Sequence, residues 1–305
     1  MSVIEAVADV EAIRDEWVKT DVAVAPRSYW GEFRYRFRHN RTGIIALSIL
    51  ALICLGAILA PFLSPANPLL GDPYRRLLGV GAAGHPLGTD EQGRDMLSRL
   101  LYGGRLSLLA GLVPVVGATI VGVVLGMWAG LSRRLANNVI MRAMDMLYAF
   151  PAILLAIAVS TSLGPGLANA MIATSIIFVP PICRIAETAT RQVSVQEYVE
   201  AARVAGTGRL RMVRTQILPN ILNPVLAYAS GLLGISMIIA ASLSFLGLGS
   251  QPPAPEWGYM LQSLRGSIYN AALISALPGF FIFVTSVAFN VLSDAVVEAM
   301  DVRLS

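Results

Sequence analysis

Five stretches without a single Asp, Glu, Lys or Arg leave this chain few ways to fold in water: Thr42–Gly71, Leu106–Ser132, Met146–Cys183, Thr215–Pro255 and Gly266–Ser293. Each is long enough for the roughly 20 apolar residues that cross a bilayer as helix. The third is about twice that length and carries Gly164-Pro165-Gly166 at its middle, a turn signal at which the chain reverses, so it counts as two spans. The fourth holds one span, because Pro219, Asn220, Asn223 and Pro224 interrupt its start and Pro252, Pro253 and Pro255 its end. The pattern predicts an all-α polytopic membrane protein with about six transmembrane helices. Composition agrees: 55% hydrophobic residues, 14% charged ones and a mean hydropathy of +0.66 lie well outside the balance of a soluble domain.

The predicted order is a tail and interfacial elbow over 1–43, then spans at 44–64, 106–131, 146–163, 167–184, 224–248 and 270–293. A large loop occupies 65–104, a polar loop 190–220 separates spans four and five, a further loop covers 249–268, and 294–305 closes the membrane core of 105–300. Positively charged flanks are retained on the cytoplasmic side. Lys19 and Arg14 to Arg41 precede the first span, Arg133, Arg134 and Arg142 follow the second, Arg184 to Arg214 follow the fourth, and Arg303 follows the sixth. On the other side, Arg75, Arg76, Arg94, Arg99, Arg105 and Arg265 are mostly offset by Asp72, Asp90, Glu91, Asp95 and Glu256. Both termini and the 190–220 loop are therefore expected in the cytoplasm.

The net charge of +4 belongs to these flanks and, without interleaved stacking aromatics, does not argue for nucleic acid. Tyr29, Trp30, Phe33, Tyr35 and Phe37, which do alternate with Arg34, Arg36 and Arg38, suit an elbow lying among lipid headgroups of the bilayer. Ahead of it, Val3, Val7, Val10 and Trp17 recur at helical spacing, a short amphipathic helix that either packs on a partner or stays mobile. Cys54 and Cys183 lie inside apolar spans as small hydrophobes. No cleavable signal peptide is visible in the polar first forty or so residues.

Catalytic patterns fail on context. Gly79, Gly81 and Gly84 spell GxGxxG, but His85-Pro86 follow where a dinucleotide site needs a helix. The one lysine, Lys19, has no glycine-rich turn before it, so no phosphate-binding loop exists here. His39 and His85 fall on opposite sides of the membrane, and no Cys/His cluster suggests a metal. No carboxylate is left deep in a span, which argues against an ion-coupled secondary transporter, and no nucleophile constellation supports a membrane enzyme.

Other features concern packing and docking. Gly122, Gly126 and Gly130 make one bare helix face for close packing, within the chain or against a partner. Pro114 in the same span bends the helix, either as a gating element or as a simple kink. In the first loop, Gly88, Thr89, Asp90, Gly93, Arg94 and Asp95 admit two readings: a contact with another protein, or a self-contained fold in which Asp90 and Asp95 pair with Arg94 or Arg99. Between spans four and five, a helix over Val195 to Val204 ends at Gly206 and Gly208, and a second over Leu210 to Leu218 stops at Pro219. Ala201 and Ala202 would let a groove approach the backbone while Arg209, Arg211 and Arg214 supply charge, unless the segment is an ordinary solvated loop.

This segment resembles the integral-membrane subunits of bacterial ATP-binding-cassette importers, whose shared motif runs EAA, three residues, Gly, then a spacer to Leu-Pro. Glu200, Ala201, Ala202, Gly206, Leu218 and Pro219 match it, and Gln216 fits the polar residue common in the peptide-type branch. The resemblance to the dipeptide/oligopeptide/nickel branch extends over His85–Leu108, Met144–Ile157 and Ser244–Leu261, and the long polar start is similar to its C-type permease. It implies a multi-pass inner-membrane subunit that pairs with a B-type permease, docks two cytoplasmic ATPases through the Glu200 segment and receives solute from an extracytoplasmic binding protein. It implies no cofactor on this chain, ATP and Mg being held by the ATPases. Di- or oligopeptides are the expected solute, with nickel chelates and glutathione as alternatives.

Overall fold

The structure, a computed structural model, describes residues 29–300; the amphipathic helix expected around Val3 to Trp17 lies outside them. The longer helices are α1 (Tyr29–His39), α2 (Arg41–Ile58), α3 (Met96–Leu131), α4 (Arg134–Tyr148), α5 (Ala152–Leu163), α6 (Leu167–Ser194), α7 (Glu197–Val204), α8 (Arg209–Phe245), α9 (Trp257–Leu264) and α10 (Ala272–Met300). Five of them, α2, α3, α6, α8 and α10, are long and apolar enough to cross a membrane, and the bent pair α4–α5 makes a sixth crossing if taken as one.

Local chemistry moves several boundaries away from those expected. α3 begins ten residues before the span boundary at 106, because Asp95 caps it by accepting the Ser98 N–H at 2.7 Å. At 36 residues it is about 54 Å long, well beyond the ~30 Å hydrocarbon layer, so its first turns stand outside the apolar belt. The single span over 146–163 is broken instead: α4 and α5 meet at 94° around Pro151, which lacks the amide to continue the helix. With 12 residues, about 18 Å, α5 is a short element. α6 runs on past residue 184 to Ser194, and α10 past 293 to Met300.

Pro219 does not stop a helix. The chain runs from Arg209 to Phe245 as one helix, with a π-helical stretch at Val213–Ile217 in which the Leu218 N–H bonds the Val213 carbonyl. That widened turn absorbs the donor Pro219 lacks, and Pro219 occupies the first turn of the resumed α-helix, where no such donor is needed.

Helix packing rests on small residues and side-chain hydrogen bonds, as lipid offers little hydrophobic drive between helices. α3 and α6 form the most intimate pair: a Cβ at Gly122 would lie 2.7 Å from Ile182, at Gly126 2.5 Å from the Cys183 carbonyl, and at Gly130 2.8 Å from Thr190. The glycine face thus packs within the chain. α8 and α10 are joined where the Ser286 hydroxyl donates to the Gly234 carbonyl at 2.9 Å and where the Ser230 and Ser293 hydroxyls meet at 2.7 Å. α6 is the inner helix, with 50% of its apolar window buried against 22% of α2's.

The two ends of the bundle differ in chemistry. One gathers the arginine-rich flanks: Asn40 at the α1–α2 junction donates to Glu298 near the end of α10 at 2.7 Å, and Arg209 at the start of α8 donates to the Leu131 carbonyl at the end of α3 at 3.2 Å. The other holds the first loop and α9.

Candidate functional site

At the arginine-rich end, α7 carries Glu197 and Glu200 in its first turn and Arg203 in its last, which suits the positive and negative ends of its macrodipole. It closes in a Schellman motif: the Gly206 N–H donates to the Arg203 carbonyl at 3.1 Å, and the Thr207 N–H to the Ala202 carbonyl at 3.0 Å. Gly206 sits at φ +79°, a left-handed conformation that costs any other L-residue, although a Cβ there would meet no atom. Backbone conformation, not space, demands glycine at this position.

α8 starts three residues later at Arg209, so the reversal from α7 into a membrane helix is short and hydrogen-bonded. Val199, Met212 and Ile217 are buried and anchor the turn from beneath. Glu200, Ala201, Gly206, Arg209, Arg211 and Pro219 are exposed, whereas Ala202 and Leu218 are half-buried, so the two alanines do not share one fully open face. Around them Val195, Val204 and Leu210 expose 77%, 84% and 65% of their surface. Arg203, Arg211 and Arg214 form no ion pair among the described residues. The surface is therefore a stiff helical corner with apolar and cationic groups unspent on the chain's own fold, positioned on the end of a spanning helix.

The opposite end buries one cluster of its charges. Thr89, Asp90, Arg94 and Asp95 are each 2% exposed or less, and Gly88 and Gly93 form buried turns beside them. Arg94 Nε donates to Asp90 Oδ2 at 2.6 Å, the Arg94 and Gln92 amides donate to Asp90 Oδ1, and Arg99 lies 3.3 Å from the same carboxylate. Asp95 meets His85 Nδ1 at 2.9 Å while capping α3. These residues form the interior of the loop, whose exposed charges are instead Asp72, Arg75 and Arg76. The GxGxxG stretch lies in turns of the same loop, with neither a strand before it nor a helix after it.

Next to this loop, Glu256 caps α9 by accepting the Gly258 and Tyr259 amides at 2.8 and 2.9 Å, and the Ser107 hydroxyl at 3.2 Å. Burial pushes its carboxyl above the usual carboxylate range, against the pull of those hydrogen bonds. Trp257 donates to the Leu100 carbonyl at 2.9 Å, so the segment after α8 is sealed onto the first turns of α3.

An all-helical bundle with five helices of membrane-crossing length, and a sixth crossing if the bent pair α4–α5 is taken as one, defines a polytopic membrane protein. Residues 122–305 match the model of the binding-protein-dependent transport system inner membrane component, and residues 28–79 that of the N-terminal transmembrane domain of oligopeptide transport permease C. The chain belongs to this family of ATP-binding-cassette importer permeases, in its C-type branch. It is 42% identical to the di/tripeptide transport system permease protein DppC of Pseudomonas aeruginosa, over 90% of this chain and 92% of that one. It is 39% identical to the glutathione transport system permease protein GsiD of Pectobacterium atrosepticum, over 97% and 96%. Its fold is similar to that of a chain in the inward-facing MetNI methionine ABC transporter, with a TM-score of 0.51 at 19% identity, covering 66% of this chain and 97% of that one.

Sequence reasoning missed the tie between Arg209 and α3 and the capping role of Glu256. An acidic residue directly before the helical stretch Trp257–Leu264 was a readable cap signal. Nothing local announces that Arg209 reaches a carbonyl 78 positions away.

Proposed function

We infer that this chain is half of a heterodimeric pathway that imports di- or oligopeptides. Its partners in this reading are a B-type permease, two cytoplasmic ATPases and an extracytoplasmic solute-binding protein. The stiff corner formed by α7, Gly206 and α8 carries the reading: α7 seats in an ATPase, and closure of the ATPase pair moves α8 as a lever. A helix continuous from Arg209 to Phe245 transmits a displacement that a flexible loop would dissipate. Glu200, Ala201, Ala202, Gly206, Arg209, Arg211, Leu218 and Pro219 form the corner, which faces the cytoplasm together with both termini, as the arginine asymmetry supports. The chain itself holds no nucleotide or metal; ATP and Mg bind the ATPases.

The names of the relatives support a peptide solute, and glutathione, itself a tripeptide, is the second reading. The test is uptake into proteoliposomes by the complete complex with its binding protein. Dipeptide accumulation that requires both internal ATP and the binding protein is expected. Uptake driven by an ion gradient without ATP would instead make the chain a secondary transporter.

A further inference from the structure

Beneath the docking corner, the last turn of α3 is held by side chains from two other elements. The final carbonyls of a helix have no partner within it. The Ala129 carbonyl accepts Asn137 Nδ2 of α4 at 3.1 Å, and the Leu131 carbonyl accepts Arg209 Nη2 of α8 at 3.2 Å. The same Asn137 amide donates to Glu187 Oε1 of α6 at 2.8 Å, and Arg191 pairs with that carboxylate from the next turn. Asn137 and Glu187 are only 7% and 8% exposed, so one amide joins α3, α4 and α6 away from water.

A second tie fixes how α4 lies. Arg184 Nη2 meets Asp145 Oδ1 at 2.7 Å, and its guanidinium stands 5.4 Å from the Tyr148 ring centre. Asn137 and Asp145 are about 12 Å apart along α4, whereas their partners Glu187 and Arg184 are about 4.5 Å apart along α6. The long Arg184 side chain bridges that difference, so α4 is held to α6 at two points, Asn137 and Asp145. Beyond α4, the 94° bend leads into α5.

We propose that Asn137 and Glu187 are positioning residues of the transport cycle: their clasp binds α3, α4 and α6 into one body that moves with α8 through Arg209. The proposal rests on the importer reading above and adds a second route for the displacement, from the docking corner into the α3–α6 pair whose glycine face lets the two backbones move together. Without the clasp, α3 stays tied to α8 through Arg209 and to α6 through the glycine face, but the start of α4 is no longer held to them and does not follow the movement.

The test uses the complete complex in proteoliposomes and reads solute transported per ATP hydrolysed. Asn137→Leu keeps the side chain's shape and removes both hydrogen bonds; the ratio is expected to fall about tenfold while hydrolysis continues. Asn137→Asp sets two carboxylates together and should do the same. Adding Glu187→Gln to that variant rebuilds a hydrogen bond between α4 and α6 and should recover transport over Asn137→Asp alone. An unchanged ratio in Asn137→Leu overturns the proposal, and so does a parallel loss of transport and hydrolysis without recovery in the double variant, since that is a defect of folding or assembly. Failure of the importer reading itself is separate, because the unaltered complex would then show no ATP-dependent uptake.

Discussion

The two ends of this molecule carry motifs of similar length and opposite purpose. At the loop end, Asp90, Arg94, Asp95 and Arg99 are of mixed sign, buried and spent on one another. At the other end, Glu197, Glu200, Arg203, Arg211 and Arg214 are also of mixed sign, but they are exposed and form no ion pair among the described residues. Paired opposite charges satisfy each other inside a fold, while exposed and unpaired ones stay available to something else. A short charged motif outside the membrane is thus read by the burial and pairing of its charges before its position.

Substitutions at the two ends should therefore fail differently. Arg94→Ala removes the main partner of a buried carboxylate and should cost roughly 3–5 kcal/mol, seen as a large drop in the thermal midpoint of the purified chain and in its membrane-inserted yield. A midpoint near that of the unaltered chain would mean the loop is not held by this pair. Gly206→Ala forces a left-handed residue with a Cβ, a local cost of about 1–2 kcal/mol. Because Gly206 is exposed, the expected signature is a nearly normal thermal midpoint with reduced solute-stimulated ATP hydrolysis in the complex. If it unfolds the chain as Arg94→Ala does, the two ends are not the distinct devices described.

Much of this was legible in the residues alone. The uncharged runs predicted the membrane helices, and the EAA pattern with Gly206 located the corner, because both signals are local: apolar length and a left-handed stop. The failures arose where a local rule was overruled by its surroundings. Pro219 reads as a helix end, but the π-helical turn before it removes the need for its missing amide. Pro151 was hidden inside an apolar run counted for length, although it breaks the span at 94°. In the loop, the four-residue spacing of Asp90 and Arg94 suggested a pair, yet the burial that makes the pair structural depends on Pro68, Arg99 and the capped start of α3 around it. The Asn137–Glu187 clasp has a separation of 50 residues and no sequence signal at all.

The central claim is that α7 is the surface on which an ATPase sits. A photo-crosslinking side chain placed at Ala201 tests it directly, with Tyr74, 97% exposed at the loop end, as the comparison site. In membranes containing the whole complex, Ala201 is predicted to crosslink to the ATPase subunit and Tyr74 not to. Crosslinks to the ATPase from neither site, or equally from both, would contradict the account.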